Sequence, residues 1–145
     1  MTAELKIQRF VDFYNQLSAD NLDSLVAVYH PNVVFVDPVH EIKGLAALQE
    51  YFAHAYARLQ SCQFEVVSAA GQQQSGFVNW TMKFRHQAIG NGKLISVEGC
   101  SALQFDADGL IVHHRDYYDM TDMVYQHVPV LNWLTAMIKR KMADQ

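Results

Sequence analysis

The sequence predicts an α+β fold: a cone-shaped α+β barrel in which a curved antiparallel sheet, mixed at its edge, holds the N-terminal helices on its concave face. Apolar residues with helical spacing dominate the first part of the chain, whereas the alternation typical of strands dominates residues 64–119. An extra helical pattern follows Pro129. Runs of helices followed by runs of strands are typical of α+β proteins, and a curved sheet covered by helices leaves room for a pocket.

The N-terminal part predicts two helices and a strand. Apolar residues recur with helical spacing over about residues 3–18. Asp20 or Asn21 can cap a second, short helix whose apolar positions extend to Tyr29. Residues 33–37 are mostly β-branched and apolar, which favours a short strand.

Gly44 opens a third predicted helix, whose apolar stripe includes Phe52 and extends to Leu59, and the pattern then changes to that of strands. Asn91-Gly92 is a strong two-residue hairpin signal, and Thr121 can cap a short turn of helix. The predicted strands cover residues 64–70, 77–87, 93–106 and a final stretch within 109–119, with a polar loop at 71–76.

The composition predicts one domain covering residues 1–145. Of the 145 residues, 50% are hydrophobic and 12% aromatic, which excludes a disordered chain. The formal charge of −4, with no basic run beyond 139–141, argues against a nucleic-acid partner. No apolar run reaches the ~18 residues of a membrane span, so no membrane contact is predicted.

A reduced, cytoplasmic protein without a metal or cofactor is predicted. The N-terminus lacks the apolar core of a signal peptide. Cys62 and Cys100 are too few and too far apart to indicate a disulfide framework or a zinc site. The seven histidines do not pair at a useful ligand spacing, and the calcium-like run at 106–109 lacks the later ligands and is interpreted as a hairpin turn.

The stretch 109–119 concentrates the candidate chemistry. Alternate residues of a strand point to opposite faces, so Val112, His114, Asp116 and Tyr118 are predicted to share one face. If that face lies over a cavity, Asp116 and His114 form an acid/base pair. A solvated face, or a buried and satisfied polar network, explains the same pattern.

Two segments resemble the nuclear transport factor 2-like superfamily, and most closely its SnoaL-like polyketide cyclase and ketosteroid isomerase branch. They are residues 20–38, DNLDSLVAVYHPNVVFVDP, followed by Gly44 and a helix, and residues 105–119, FDADGLIVHHRDYYD. The resemblance covers about residues 5–120, and the helix after Pro129 lies outside it. It implies the predicted fold, and it allows isomerases, cyclases, dehydratases, epoxide hydrolases and proteins without known catalysis.

The resemblance assigns expected roles to individual residues. Asp37 stands where a ketosteroid isomerase has its general base, and Asp116 where SnoaL-like cyclases have an acid/base aspartate. Phe13 stands near the position of the isomerase's oxyanion tyrosine, with Tyr14 one step away, and Ser101 stands at the position of its protonated aspartate. Because the oxyanion pair is missing, steroid isomerisation is not expected. Asp37 can equally cap the turn before the proline that follows it.

A small, largely apolar carbonyl or hydroxyl compound is the predicted ligand. The predicted catalytic residues are Asp116, His114, Asp37 and Tyr14, with Tyr14 or Tyr118 donating a hydrogen bond to developing negative charge. Tyr51 and His54 lie beside the stripe of the third helix; lining the pocket is the minor alternative for each, and neither is included in this site. The predicted ligand-binding residues are Phe52, Trp80, Met82, Phe84, Ser101 and Tyr118.

Two functional hypotheses follow. The first is a cofactor-independent isomerase, cyclase or dehydratase that uses this site. The second is a non-catalytic module that binds a ligand in the pocket or a partner on the sheet. The outer face mixes charged and polar side chains, including Lys83, Arg85 and Glu98, and related folds pair sheet to sheet. A homodimer through the sheet is therefore expected.

Overall fold

The computed structural model describes residues 1–144. Apart from a short strand at Glu41–Lys43 that was not predicted, its helices and strands follow the predicted order. Further 3₁₀ turns lie at Leu22–Ala27, Gly90–Gly92 and Tyr125–His127. The helices are α1 (Ala3–Gln16), α2 (Leu45–Ala57), α3 (Met120–Met123) and α4 (Pro129–Ala143). The strands are β1 (Tyr29–Val36), β2 (Glu41–Lys43), β3 (Leu59–Gln72), β4 (Ser75–His86), β5 (Ile95–Phe105) and β6 (Ile111–Tyr118).

The strands form one six-stranded sheet in the order β2-β1-β6-β5-β4-β3. β1 runs parallel to β6, and all other neighbours are antiparallel. This confirms the α+β class and the mixed sheet. The sheet is open, with β2 and β3 as its edges, so helices cover the interior that a closed barrel would seal by strand pairing.

Helix α1 packs its apolar face onto the sheet. Thr2 caps the helix, since its hydroxyl accepts the N–H of Leu5 at 3.2 Å. Ile7 and Phe10 are buried in the core between α1 and the sheet. A Cβ at Gly71 would lie 2.8 Å from Cδ1 of Ile7 and 3.1 Å from Cβ of Ala3, so the helix lies close against the β3–β4 hairpin at this glycine.

The predicted second helix is wrong in type and in its end. Leu22–Ala27 is a 3₁₀ turn, whose three-residue period places Leu22 and Leu25 together in the core. Tyr29 begins β1 instead of ending a helix. Asn21 does not cap this turn: its side chain accepts the N–H of Ser18 and donates to the carbonyl of Gln16, both at 2.8 Å.

Strand β3 extends beyond its predicted limits at both ends. Leu59, predicted on the third helix, is its first residue. The predicted loop at 71–76 is mostly strand, because Gly71 pairs with Gly76 and Gln72 with Ser75 around a two-residue turn. Backbone pairing continues there although the side chains are polar, so the side-chain pattern misplaced the boundary.

Two local turn predictions had different outcomes. Asn91 and Gly92 both have positive φ, and the N–H of Lys93 donates to the carbonyl of Gly90, as a hairpin turn requires. This turn sits in a longer loop, however, because the β4–β5 ladder ends at the Phe84–Ile95 pair. Thr121 is not a cap; its N–H instead donates to Asp119 at the start of α3.

A bulge changes the face of one residue on β6. The pairing shifts between Gln104 and Phe105, so that Ile111 is buried in the core and Val112 is not. The prediction that Val112 shares the inner face with His114 is therefore wrong, because the extra residue of a bulge reverses the alternation. Beyond the bulge the alternation resumes.

Helix α4 begins with Pro129 at its first turn, as predicted. Its predicted apolar stripe is exposed: Val130 is 68% and Ile138 53% accessible. Lys139 Nζ lies 3.9 Å from a carboxylate oxygen of Asp119. No helix within residues 1–144 combines the length and apolarity needed to cross a membrane.

Candidate active site

A cavity of about 260 Å³ lies between the concave face of the sheet and helices α1 and α2. Its wall is largely aromatic, and none of the lysines or arginines, all of which fall within residues 1–144, lines it. A second cavity of about 30 Å³ lies deeper, and Asp116 lines both. The aromatic residues lining the larger cavity are Tyr14, Phe35, Tyr51, Phe52, Tyr56, Phe64, Trp80, Phe84 and Tyr118.

Asp116 lies on the inner face of β6, and one of its oxygens is fixed by two neighbours. Ser101, its cross-strand partner on β5, donates its hydroxyl to Oδ1 at 2.6 Å. Nε2 of His114 lies 2.6 Å from the same oxygen. The side chain of Asp116 is 19% exposed and that of His114 only 1%. Asp116 therefore lies at the cavity, and His114 lies behind it in the core.

The second carboxylate oxygen of Asp116, Oδ2, differs from Oδ1 in its contacts. Within residues 1–144, Oδ2 has no hydrogen-bond partner, since both contacts are made by Oδ1. No fully buried side-chain polar atom in this part of the protein lacks a partner. Oδ2 is therefore not fully buried, and Asp116 lines the cavity as an anchored carboxylate with one unpaired oxygen.

Hydrogen bonds extend from Asp116 in both directions. On one side, Nε1 of Trp80 donates to Oγ of Ser101 at 2.9 Å. On the other, Nδ1 of His114 lies 2.8 Å from the hydroxyl of Tyr29, which lies 2.5 Å from that of Tyr14. One set of protons satisfies every contact: Tyr14 donates to Tyr29, Tyr29 to His114, and His114 to Asp116.

Burial keeps Tyr14 and Tyr29, the two tyrosines of this series of hydrogen bonds, protonated. It raises the pKa of Tyr14 and of Tyr29 well above the ordinary value, and the charge of Asp116 adds to the effect at both. Their hydroxyls therefore remain hydrogen-bond donors. Tyr14 lines both cavities, whereas Phe13 packs against the core beside it.

Asp37 both caps a turn and lines the cavity. Its Oδ1 accepts the N–H groups of Val39 and His40 at 2.8 and 2.7 Å, which is the turn-capping role. Its Oδ2 accepts the hydroxyl of Tyr51 at 2.7 Å, and its side chain is 2% exposed. Nδ1 of His40 lies 3.3 Å from Oδ1. The two readings of Asp37 are thus compatible.

Two tyrosines supply hydroxyl groups that no other described residue uses. Tyr56 and Tyr118 line the cavity, and no hydrogen bond from either hydroxyl is formed within residues 1–144. Burial raises the pKa of both hydroxyls. At Tyr118 the charges of Asp37 and Asp116 raise the pKa further. Each is a protonated donor available to a ligand.

The predicted ligand-binding residues separate into two groups. Phe52, Trp80, Met82, Phe84 and Tyr118 line the larger cavity, whereas Ser101 lines only the inner one.

The sequence interpretation omitted three residues that line the cavity: Tyr51, the tyrosine on α2 that holds Asp37, and also Phe35 and Tyr56. The spacing of four residues from Phe52 to Tyr56 was a usable signal, because residues i and i+4 share a helix face. His54 is exposed, as its omission implied.

A glycine creates the space for the tryptophan. Gly99 faces Trp80 across the β4–β5 ladder. A Cβ at Gly99 would lie 2.2 Å from Cη2 of the indole, closer than any real contact. The absence of a side chain at 99 therefore positions the indole for its hydrogen bond to Ser101.

The cavity opens where β1 and β6 separate. Their parallel pairing ends at Val36 and Arg115. Beyond that point, Asp37, Asp116 and Tyr118 line both the cavity and an outer groove. Arg115 lies on the other face of β6, with its guanidinium 4.8 Å from the ring centre of Tyr117.

Across residues 1–144, no cluster of three or more metal-binding side chains is arranged around a common point.

The comparisons with known proteins agree with this architecture. A model of the family described as the SnoaL-like domain matches residues 7–114. The Steroid Delta-isomerase of Nocardioides simplex is 28% identical over 129 residues, covering 86% of this chain and 97% of that protein. Cyclase aurE of Calcarisporium arbuscula is 22% identical over 102 residues, covering 68% and 75%.

Solved structures share the fold at low sequence identity. A chain named for the SnoaL-like polyketide cyclases, from Jannaschia sp. CCS1, has a TM-score of 0.74 at 10% identity, covering 88% of this chain and 93% of its own. A protein of ketosteroid isomerase-like fold from Catenulispora acidiphila DSM 44928, in complex with trimethylamine, has a TM-score of 0.73 at 12% identity, covering 87% and 93%. The chain belongs to the SnoaL-like domain family.

Proposed function

We propose that the protein is a cofactor-independent isomerase, cyclase or dehydratase that moves a proton on a small, largely apolar carbonyl or hydroxyl compound. The main support is the state of Asp116. Its Oδ1 is fixed by Ser101 and His114, its Oδ2 has no partner within residues 1–144, and its side chain lines an aromatic cavity. An anchored carboxylate in a mostly apolar site is the arrangement that general acid/base catalysis needs.

In the proposed reaction, Oδ2 of Asp116 takes a proton from a carbon next to a carbonyl group. The hydroxyl of Tyr118 donates a hydrogen bond to the carbonyl oxygen, where negative charge develops. In an isomerisation the proton then returns to another carbon. In an aldol-type cyclisation the enolate carbon bonds to a second carbonyl carbon of the substrate, whose C=O π bond breaks, and the proton passes from Asp116 to that carbonyl's oxygen. His114 holds the carboxylate in place, and Asp37 orients Tyr51 at the edge of the cavity.

The dimensions of the cavity favour a small substrate. Its volume of about 260 Å³ is below the roughly 300–1,000 Å³ of pockets for drug-sized ligands. Ser101 donates its hydroxyl to Asp116, and Tyr14 is hydrogen-bonded to Tyr29, so neither is free to act as an oxyanion donor. Both observations argue against a steroid and for a smaller carbonyl compound.

Isomerisation of 3-cyclohexenone to its conjugated isomer tests the proposal, because the step needs only a base and a proton donor. The Asp116→Asn variant is expected to lose roughly 10²–10⁴-fold in rate. Asp108→Asn is the matched control, since Asp108 is exposed on the hairpin before β6. Equal rates for Asp116→Asn and the unmodified protein would contradict the proposal.

The second candidate is a binding protein without catalysis. It is favoured by the largely aromatic wall and by the structural relative in complex with trimethylamine. This candidate predicts that a ligand binds in the cavity and that Asp116→Asn changes its affinity without any proton exchange in the unmodified protein. Deuterium uptake from D₂O by a small ketone, followed by NMR, separates the two.

We also propose a homodimer through the outer face of the sheet and a cytoplasmic location. The dimer is supported by the two aromatic side chains that this face exposes, Phe77 at 56% and Tyr117 at 51%. The location is supported by the two cysteines, which are both free thiols, as is usual in a reducing compartment. Cell fractionation with an antibody checks the location.

A further inference from the structure

We propose that the cavity selects small molecules that bear a methylated ammonium group and discriminates against carboxylates of the same shape. The inference rests on the proposed function in one respect, because it names the substrate class of the same site. It derives from the two carboxylates and the aromatic rings of the cavity, whereas the proton-transfer step uses only the carboxylate of Asp116 and the hydroxyl of Tyr118.

The first support is the sign of the charged groups. Asp37 and Asp116 both line the cavity, and no lysine or arginine of the chain does so. Asp37 is held by backbone N–H groups and a phenol, and among the described residues its one basic partner is the half-exposed imidazole of His40, at 3.3 Å. The basic side chains facing the cavity or Asp116 are the imidazoles of His86 and His114.

The two carboxylates act on the same region of the cavity. Burial raises the pKa of Tyr118 and that of Tyr51, and the charges of Asp37 and Asp116 raise both further. Asp37, Asp116 and Tyr118 also form the part of the wall that is shared with the outer groove. The outer groove is also lined by Asp119 and by Arg115, so three carboxylates face one guanidinium there. This excess of negative charge attracts a cation that enters from the groove and repels an anion.

The second support is the aromatic wall. The faces of aromatic rings attract cations, and tyrosine and tryptophan do so strongly. Four tyrosines and a tryptophan line this cavity: Tyr14, Tyr51, Tyr56, Tyr118 and Trp80. Their raised pKa values keep Tyr51, Tyr56 and Tyr118 as neutral phenols, so the rings attract without adding charge.

The apolar rings of the wall favour a methylated ammonium over a bare one, because they cannot replace the water that a bare ammonium binds. A primary ammonium presents three N–H donors and is strongly hydrated. Both oxygens of Asp37 and Oδ1 of Asp116 already accept hydrogen bonds. A trimethylammonium group needs no acceptor, and its methyl groups pack against apolar rings.

Three probes of matched shape test the inference: choline, its neutral isostere 3,3-dimethylbutan-1-ol, and 3,3-dimethylbutanoate. The two tryptophans are Trp80 in the cavity and Trp133, which is 61% exposed on α4. A Trp133→Phe variant therefore leaves Trp80 as the fluorescent reporter. Titrations at physiological salt, where the screening length is about 8 Å, suppress attraction by the net charge of −4.

Choline is expected to bind roughly tenfold more tightly than the neutral alcohol, a preference typical of a cation–π site with nearby carboxylates, and the butanoate least tightly. Tyr118→Leu should weaken choline more than the alcohol, whereas Tyr118→Phe, which keeps the ring, should preserve most of the preference. Asp37→Asn should reduce the preference, and Asp108→Asn should not. Thermal melting of each variant checks that it is folded.

The inference is overturned if the neutral alcohol binds the otherwise unmodified protein as tightly as choline, or if choline at millimolar concentration does not bind. Its failure is distinguishable from that of the proposed function. Loss of 3-cyclohexenone turnover in Asp116→Asn together with no choline preference rejects only the inference. Selective choline binding by a protein that never isomerises the ketone rejects only the proposed chemistry.

Discussion

Nε2 of His114 and Oδ1 of Asp116 lie 2.6 Å apart, although the two residues are separated by a single residue on one strand. The alternation of a β-strand places both on the inner face of β6, but His114 is sealed in the core while Asp116 reaches the cavity. The histidine is thus a fixed support for a carboxylate whose other oxygen is free.

The first prediction concerns the stability of Asp116 variants. Asn at 116 still offers an amide oxygen to Ser101 and His114, so Asp116→Asn should change the free energy of unfolding by less than about 1 kcal/mol. Asp116→Ala removes the acceptor of two buried donors and should cost about 1–3 kcal/mol for each group left unsatisfied. Urea unfolding of both variants measures the difference. A large loss of unfolding free energy in Asp116→Asn would show that the His114–Asp116 pair stabilises the fold, and would weaken its catalytic assignment.

The second prediction concerns His114 itself. His114→Phe keeps an aromatic ring among Phe10, Tyr29 and Phe35, which surround it. It removes both ring nitrogens, however, and leaves the hydroxyl of Tyr29 without an acceptor. We expect a loss of about 1–3 kcal/mol per unsatisfied group, and a lower rate of proton transfer.

His113→Phe is the control for this experiment, because His113 lies on the other face of the same strand. Surface substitutions of this kind usually change stability by less than about 0.5 kcal/mol. Equal losses for the two histidine variants would show that the strand, and not the buried hydrogen-bond chain, is the sensitive feature.

The third prediction concerns the proposed dimer. Phe77→Glu places a charge on the outer face of the sheet, where the phenylalanine is 56% exposed. It should convert a dimer to a monomer without lowering the melting temperature of the subunit, since no buried contact is lost. Light scattering at micromolar concentration measures the mass. If the unmodified protein is already a monomer there, the proposed interface is wrong.

The sequence was sufficient for features that depend on local periodicity. The order of helices and long strands follows from spacing alone, and the shared face of His114 and Asp116 follows from the period of a strand. The α+β class and the superfamily resemblance were confirmed by the sheet and by the match over residues 7–114.

Features that depend on distant parts of the chain were not predictable in this way. Tyr29 continues a helical pattern in sequence, but its backbone pairs with Ile111 and its hydroxyl bonds to His114, neither of which local spacing can indicate. Tyr51 was left out because its contact with Asp37 depends on how α2 is rotated against β1. Val112 points to the opposite face from the one predicted because of a bulge, which an alternating sequence pattern does not indicate.

The fourth prediction concerns the space at Gly99. Gly99→Ala forces the indole of Trp80 to move, because the new Cβ would lie 2.2–2.6 Å from three of its ring atoms. Overpacking of this kind costs typically about 1–3 kcal/mol. The hydrogen bond from Trp80 to Ser101 should break, which a shift in the fluorescence of Trp80 would report.

A double-mutant cycle isolates the cause. Phenylalanine lacks the outer ring atoms that the Cβ at 99 would meet, so Gly99→Ala should cost less in a Trp80→Phe background than in the unmodified protein. If the cost is the same in both backgrounds, the effect of Gly99→Ala lies in the backbone of β5 and not in the contact with the indole.

The last prediction concerns Cys62, which lines the cavity at the edge strand β3. Burial raises the pKa of its thiol from 9.0 to about 11. The folded protein therefore holds this proton more tightly than the unfolded chain does. The resulting contribution to stability is complete below pH 9, falls as the unfolded chain loses its proton, and is lost as the pH rises through about 11.

Two measurements check this sign. In a Cys100→Ser variant, alkylation of Cys62 by iodoacetamide should accelerate in the folded protein only as the pH approaches 11, and in urea-unfolded chain near 9. Cys62→Ala should reduce the alkaline decline of unfolding free energy between those values. A folded-state alkylation midpoint near 9 would show that the thiol is solvated, and that this side of the cavity is open to water and not closed by Tyr56 and Phe84.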